Sequence, residues 1–230
     1  MNSEQNAGLK NERQTRRIGV LGGSFNPIHK GHTFLAEYAA KHCGLEKVIL
    51  IPTGKHAFDS KSGMTPAKDR MAMAELAVKG KDCLEVSDIE VRNPEKSYTY
   101  NTLRQLKNEV FKGAEICFIT GSDEILEIER WYEWESLLKE FAFVIGVRPG
   151  VDLTDAKEAI RNYNENYGAD IVLLADIPAP DVSSTEVRAF LKYVYETGES
   201  PEVYEDETLP LERSVLEYIL ELDLYKENRI

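Results

Sequence analysis

An apolar run, Ile18-Gly19-Val20-Leu21, leads without a break into the segment Gly22-Gly23-Ser24-Phe25-Asn26-Pro27-Ile28-His29-Lys30-Gly31-His32. A strand that ends in paired glycines and passes into a helix is the local geometry of a phosphate site, and it confines the chain to a narrow set of α/β arrangements. Gly22 and Gly23 have no Cβ, so the backbone turns freely and a ligand approaches it closely, while Pro27 stiffens the entry to the helix. The free N–H groups and the positive dipole end of that helix then point into the turn, where an anion belongs. His29 and His32, at a separation of three residues, are expected on one helical face, where both imidazoles can donate to the same phosphate or to charge developing on it. Gly31 keeps that face low. The competing reading is a capped turn with two surface histidines, which leaves the coincidence of glycines, proline and both histidines unexplained. No lysine-serine or lysine-threonine pair follows the glycines, so the segment is not a Walker loop and kinase-type chemistry is disfavoured.

Short apolar runs alternate with amphipathic stretches along the rest of the chain. Ile18 to Leu21, Val48 to Ile51, part of Glu85 to Val91, Ile116 to Thr120, Phe141 to Val147 and Ile171 to Leu174 read as strands with helical patterns between them. This order predicts an α/β fold, a parallel sheet with helices on both faces. Ligands in such sheets bind beyond the carboxyl ends of the strands, where the glycine-histidine segment, Pro52-Thr53-Gly54 and Thr120-Gly121-Ser122-Asp123 all emerge. With 230 residues, 42% of them hydrophobic, the chain can bury one sizeable core. We expect a single domain over residues 18–226 ending in C-terminal helices, with residues 1–17 a flexible leader, an acidic solvated loop from Glu199 to Glu207 and a last helix from about Leu211 to Leu222.

A net charge of -12 argues against a general nucleic-acid or anionic-membrane partner, so any phosphate site must be locally basic. No window has the length of a membrane span and the leader lacks a signal-peptide pattern. Cys43, Cys83 and Cys117 lack metal-like spacing and read as buried free thiols of a reducing cytosol, which gives a cytoplasmic expectation.

A second motif lies far along the chain in Asp181-Val182-Ser183-Ser184-Thr185-Glu186-Val187-Arg188. Ser183 and Glu186 fit a capping box, an ordinary way to begin a helix. Ser184 and Thr185 add hydroxyls at that helix start, and Arg188 places a guanidinium one turn on, on the face shared with Ser184, which suits the β- and γ-phosphates of a triphosphate. Two such sites suggest a displacement at phosphorus. One helix start and its histidines hold an α-phosphate, the other holds the pyrophosphate portion, and an oxygen of a second substrate attacks in line. Catalysis is then positioning plus charge stabilisation by His29 and His32, with Mg2+ carried by the triphosphate and no clustered carboxylates to cage a metal.

The first segment resembles the G-x-F-x-P-x-H-x-G-H signature of the nucleotidyltransferase superfamily, and the second resembles its I-S-S-T-x-x-R motif, with Val182 in place of isoleucine. Ser97-Tyr98-Thr99-Tyr100-Asn101-Thr102-Leu103, Gly121-Ser122-Asp123, Trp131-Tyr132-Glu133-Trp134-Glu135 and Arg148-Pro149-Gly150 are similar, in the same order, to segments of the bacterial nicotinate-nucleotide adenylyltransferases. Arg70-Met71-Ala72-Met73, Val215-Leu216-Glu217-Tyr218-Ile219 and Leu224-Tyr225 fit that pattern too, so the likeness runs from about Ile18 to Tyr225. The resemblance implies a Rossmann-like nucleotidyltransferase fold. It also implies an enzyme of NAD biosynthesis that joins ATP and nicotinate mononucleotide to give deamido-NAD and pyrophosphate. Under it Gly22, Gly23, Ser24, Phe25, Ser184, Thr185 and Arg188 bind ATP, and Thr99, Asp123, Trp131, Tyr132 and Arg148 bind the mononucleotide. Trp131 would offer a flat face to the pyridine ring, the backbone N–H groups of Thr99 and Tyr132 would donate to its carboxylate, and Asp123 would take a ribose hydroxyl. The aromatics could equally be packing, Trp134 more so than Trp131.

Two departures from that family pattern stand out. Where the family usually carries P-P-H-K, this chain reads His56-Ala57-Phe58-Asp59, leaving Lys55, His56 or Lys61 to supply a positive group, and Asn101 replaces an aspartate, which keeps hydrogen bonding and removes a charge. Other acceptors (nicotinamide mononucleotide, phosphopantetheine or flavin mononucleotide) and a nucleotide-binding regulatory module without turnover are the competing readings. An oligomer is compatible with all of them.

Overall fold

A computed structural model of the chain describes residues 15–55, 64–147, 152–175 and 177–226. Six strands, β1 (Arg17–Gly23), β2 (Lys47–Pro52), β3 (Leu84–Val86), β4 (Glu115–Gly121), β5 (Ala142–Gly146) and β6 (Asp170–Leu174), make one sheet in the order β3-β2-β1-β4-β5-β6. Every neighbouring pair is parallel, so each connection must cross the sheet, and helices make the crossings. The crossings are made by α1 (Lys30–His42), α2 (Ala67–Val78), α3 (Thr99–Gln105, continued by a π-helical turn to Val110), α4 (Ser122–Leu126), α5 (Trp134–Glu140) and α6 (Thr154–Tyr167), and α7 (Ser184–Thr197) and α8 (Arg213–Glu221) follow the last strand.

The strands are apolar on both faces because both are covered. Leu50, Cys117, Ile119 and Val144 pack beneath α1, α2, α7 and α8 through Ala36, Met73, Val187, Leu191 and Leu216. Their neighbours Ile49, Ile51, Ile116, Phe118 and Phe143 point the other way, onto Leu103, Ile125, Leu137 and Ile160 of α3 to α6. A period of two with no polar face is the pattern of a strand buried in a parallel sheet. The chain leaves β1 toward β2 and β3, then returns across β1 to add β4, so the connections diverge between β1 and β4 and open a crevice at their carboxyl ends. Gly22 and Gly23 stand at the end of β1 and Gly121 at the end of β4, on the two lips of that crevice.

Several boundaries differ from the sequence expectation. The strand expected within Glu85 to Val91 stops at Val86, because Ser87 and Asp88 turn the chain: the Ile89 N–H donates to Ser87 Oγ at 3.4 Å and the Arg92 N–H to Asp88 O at 2.9 Å. β1 begins at Arg17, one residue inside the expected leader, and residues 1–14 lie outside the described residues. The acidic stretch is less free than a solvated loop. Arg213 donates to Pro201 O, Tyr204 O and Asp206 Oδ1 at 2.5–2.6 Å and so ties that stretch to the start of α8. Of the cysteines, only Cys117 is buried, and burial pushes its thiol up to about 11; Cys43 and Cys83 are half-buried.

The capping box on α7 is present: Glu186 N donates to Ser183 Oγ at 3.2 Å and Ser183 N donates to Glu186 Oε2 at 2.7 Å. Ser183→Ala is therefore expected to lower stability by about 1 kcal/mol in urea unfolding. No change would show that the packed face of α7 holds it alone.

Candidate active site

The turn after β1 is shaped by one side chain folding back. Phe25 is buried and left-handed (φ 45°), and its ring lies where a Cβ on Gly23 would sit, 2.9 Å away, so position 23 admits only glycine. The same ring meets His32 edge-on at 5.0 Å. With its side chain committed to packing, Phe25 has only its main chain to offer a ligand.

The histidines meet differently from the expectation of a shared helical face. His29 precedes the helix as its N-cap in extended conformation (φ −146°, ψ 169°), and His32 follows in the first turn. Their rings stack at 3.6 Å, 29° from parallel, and a Cβ on Gly31 would lie 3.0 Å from the His29 ring. His29 is buried and His32 half-buried. The His29 main-chain N–H donates to His32 Nδ1 at 3.2 Å. An accepting Nδ1 puts the ring proton of neutral His32 on Nε2, so this imidazole is a donor on its far edge.

The second motif is fastened directly onto the first. Ser184 Oγ donates to Pro27 O at 3.0 Å and Arg188 Nη1 donates to Asn26 O at 2.7 Å, across more than 150 positions of sequence. Arg188 Nη2 also donates to Thr185 Oγ1 at 3.0 Å, and a Cβ on Gly31 would lie 3.2 Å from Val182. The starts of α1 and α7 thus border one crevice, two dipole ends and a guanidinium converging where a polyphosphate can lie. The Arg188 bonds use two of its five N–H groups.

On the opposite wall the aromatic residues gather. Phe118 lies 3.6 Å from where a Cβ on Gly22 would be and meets Trp131 edge-on at 5.9 Å. Tyr98 and Tyr132 rings lie 4.8 Å apart, which brings the start of α3, with Thr99, beside the Trp131-Tyr132 segment. Trp131 is half-buried, whereas Tyr132 is 49% exposed and open to a ligand. Asp123 is exposed in the first turn of α4, its Oδ1 2.4 Å from where a Cβ on Gly121 would be, so the glycine makes room for the carboxylate. Trp134, half-buried like Trp131, packs instead on Tyr163 and Tyr167 of α6. The structure thus brings together Gly22, Gly23, Ser24, Phe25, His29, His32, Ser184, Thr185 and Arg188 on one side, and Thr99, Asp123, Trp131 and Tyr132 on the other. Arg148, His56 and Lys61 lie outside the described residues; Lys55 is described, and its carbonyl accepts from Ser97 N at 3.2 Å.

Three supporting groups have roles that the sequence did not assign. Asn26 Oδ1 accepts from Thr65 N at 3.1 Å and from the Tyr225 hydroxyl at 2.9 Å, and burial pushes that phenol up to about 12, so it serves as a donor. Glu90 accepts from Thr102 Oγ1 at 2.8 Å, and burial raises its carboxyl pKa. A Cβ on Gly54 would fall 2.0 Å from Glu90 O, so this loop needs glycine as well. Arg70 is the third, and the sequence carried a signal for it: an arginine at helical spacing with Met73, Ala74 and Ala77 on the buried face of α2. Among the described residues no group of three or more His, Cys, Asp or Glu is placed to hold a metal ion.

Residues 20–190 match the cytidylyltransferase-like family. A relative named probable nicotinate-nucleotide adenylyltransferase in Thermoanaerobacter sp. (strain X514) is 34% identical over 212 residues, 92% of this chain and 95% of its own. One of the same name in Caldicellulosiruptor saccharolyticus is 32% identical over 213 residues, 92% of this chain and all of its own. Among solved structures, Plasmodium falciparum nicotinic acid mononucleotide adenylyltransferase complexed with NaAD superposes with a TM-score of 0.70 at 22% identity, over 93% of this chain and 98% of that one. That likeness places the fold alone.

Proposed function

The chain belongs to the cytidylyltransferase-like family, among the nicotinate-nucleotide adenylyltransferases, and on that premise we propose that it joins ATP to nicotinate mononucleotide, forming deamido-NAD and pyrophosphate. The observation that carries this reading is the fastening of Ser184 and Arg188 onto the carbonyls of Pro27 and Asn26, which makes one cleft out of two helix starts. In this reading the main chain of Gly22, Gly23, Ser24 and Phe25 receives the α-phosphate side of ATP. Ser184, Thr185, Arg188 and the start of α7 hold the β- and γ-phosphates. An oxygen of the mononucleotide phosphate attacks the α-phosphorus in line, a P–O bond forms, and the bond to the β-phosphate bridging oxygen breaks to release pyrophosphate. His32 donates through Nε2–H to the non-bridging oxygens on which charge accumulates, and His29, stacked beneath, holds its ring in place. A divalent ion carried with the ATP substrate, Mg2+ in our reading, would neutralise part of the triphosphate charge, while the phosphates themselves are held by Ser184, Thr185, Arg188 and the main chain after β1.

The acceptor is recognised on the other wall. Trp131 stacks on the pyridine ring, the Thr99 and Tyr132 N–H groups donate to its carboxylate, Asp123 accepts from a ribose hydroxyl, and Arg148 completes the mononucleotide site. A carboxylate accepts from both N–H groups, whereas a carboxamide turns an N–H of its own toward one of them, so the acid is the preferred acceptor. Initial rates with ATP and each mononucleotide test this: deamido-NAD and pyrophosphate are expected to form in equal amounts, with the acid favoured over the amide by at least about tenfold in kcat/KM. Preference for the amide overturns the acceptor assignment, and no pyrophosphate release with any phosphorylated acceptor overturns the enzyme reading. No helix among the described residues is long and apolar enough to cross a membrane.

A further inference from the structure

Arg70 is 1% exposed, and its guanidinium donates to three main-chain carbonyls: Nε to Thr65 O at 2.9 Å, Nη1 to Ser24 O at 2.6 Å and Nη2 to Thr53 O at 2.6 Å. These carbonyls belong to three separate pieces of the cleft, namely the turn after β1, the loop after β2 and the entry to α2. Burying a cation among neutral carbonyls is expensive, and an apolar side chain of similar volume stabilises a core more cheaply. Burial pulls the Arg70 pKa below the usual arginine value, opposed by the neighbouring acidic groups of Tyr225 and Glu90.

The geometry of the peptide bond says what the fork accomplishes. A trans peptide is planar and its C=O and N–H point in opposite directions. Holding the Ser24 carbonyl back toward Arg70 therefore turns the Phe25 N–H away from Arg70. We propose that Arg70 is a positioning residue for nucleotide binding: its guanidinium fixes the Ser24–Phe25 peptide so that the Phe25 N–H is presented to the ATP phosphates, and it places a fixed positive charge behind that turn. The proposal rests on the ATP reading above and adds to it a residue that never touches the nucleotide. The neighbouring hub works in the same direction. Thr65, whose carbonyl Arg70 holds, donates through its N–H to Asn26 Oδ1, and Asn26 O is the acceptor for Arg188. A shift at Arg70 is thus passed to both sides of the phosphate site.

The test is a set of Arg70 variants read by substrate-specific constants. Arg70→Lys keeps a charge and loses the fork; Arg70→Met keeps much of the volume and loses both. Both are expected to raise the KM for ATP by about tenfold or more, Met more than Lys, while the KM for nicotinate mononucleotide stays within about twofold. Equal changes in the two KM values, or a lowered Tm with neither changed, would overturn the proposal in favour of a purely structural rivet. If Arg70→Met does not fold, Arg70→Lys decides by the same criterion, and failure of the lysine variant to fold also overturns it. Calorimetric titration with a non-hydrolysable ATP analogue separates this inference from the functional reading. Selective loss of analogue affinity supports the Arg70 role even if the wild-type protein makes no deamido-NAD, and unchanged affinity defeats it even if the wild type turns over.

Discussion

His32→Ala is expected to lower kcat by about a hundredfold or more, with the KM for ATP held within about threefold. The asymmetry follows from where the side chain sits. Nδ1 is engaged by the His29 N–H, which leaves Nε2–H as the donor, and one donor matters most when negative charge concentrates on the oxygens it faces. In the proposed reading ground-state ATP is held mainly by main-chain N–H groups and by the α7 side, so losing the imidazole is expected to leave binding largely intact. His32→Gln carries an amide N–H to nearly the same place and should recover part of the loss. Steady-state kinetics and pyrophosphate release measure both variants. An unchanged kcat in His32→Ala removes the transition-state role from that side chain.

Arg188→Ala should fail in the opposite pattern, with kcat/KM for ATP reduced by about a hundredfold, largely through KM. A charge-assisted hydrogen bond to phosphate contributes about 1.5–3 kcal/mol, which sets that scale. The guanidinium also carries a second duty: without it the Asn26 carbonyl loses its 2.7 Å donor, and the bond from Ser184 Oγ to Pro27 O is left to carry more of the link between the turn after β1 and α7. Arg188→Lys keeps the charge but cannot serve the carbonyl and a phosphate together through one fork, so it should fall between wild type and alanine. Substrate titrations of the three proteins give the order. An alanine variant with wild-type constants for ATP would place the triphosphate elsewhere.

Much of this arrangement was legible in the sequence because its signals are local. The glycine pair after Ile18 to Leu21, the capping box at Ser183 and the alternation of apolar runs with helical patterns each depend on a few adjacent residues, and the sheet and its lips followed from them. Two features stayed open because local rules admit two outcomes. Spacing suggested a shared helical face for His29 and His32, whereas His29 caps the helix and reaches His32 by stacking; and of Glu85 to Val91, expected in part as strand, only Glu85 and Val86 pair, because Ser87 and Asp88 bend the chain away. What stayed hidden is contact at long range. Arg70 holding Ser24 and Thr53, Tyr225 reaching Asn26 across 199 positions, and Glu90 closing over Gly54 are contacts that no short-range pattern assigns; the likeness of the Arg70 and Tyr225 segments to the family pattern marks the residues but not their partners.

In the proposed mechanism two helix starts grip one ATP and leave its α-phosphorus open to the acceptor. A crystal structure with an α,β-methylene ATP analogue and nicotinate mononucleotide measures this directly. We expect a non-bridging α-phosphate oxygen about 3 Å from His32 Nε2, the β- and γ-phosphates at Ser184, Thr185 and Arg188, and the mononucleotide phosphate facing the α-phosphorus from the Trp131 side. A triphosphate seated away from either helix start, or an α-phosphorus turned from the mononucleotide, would contradict the account.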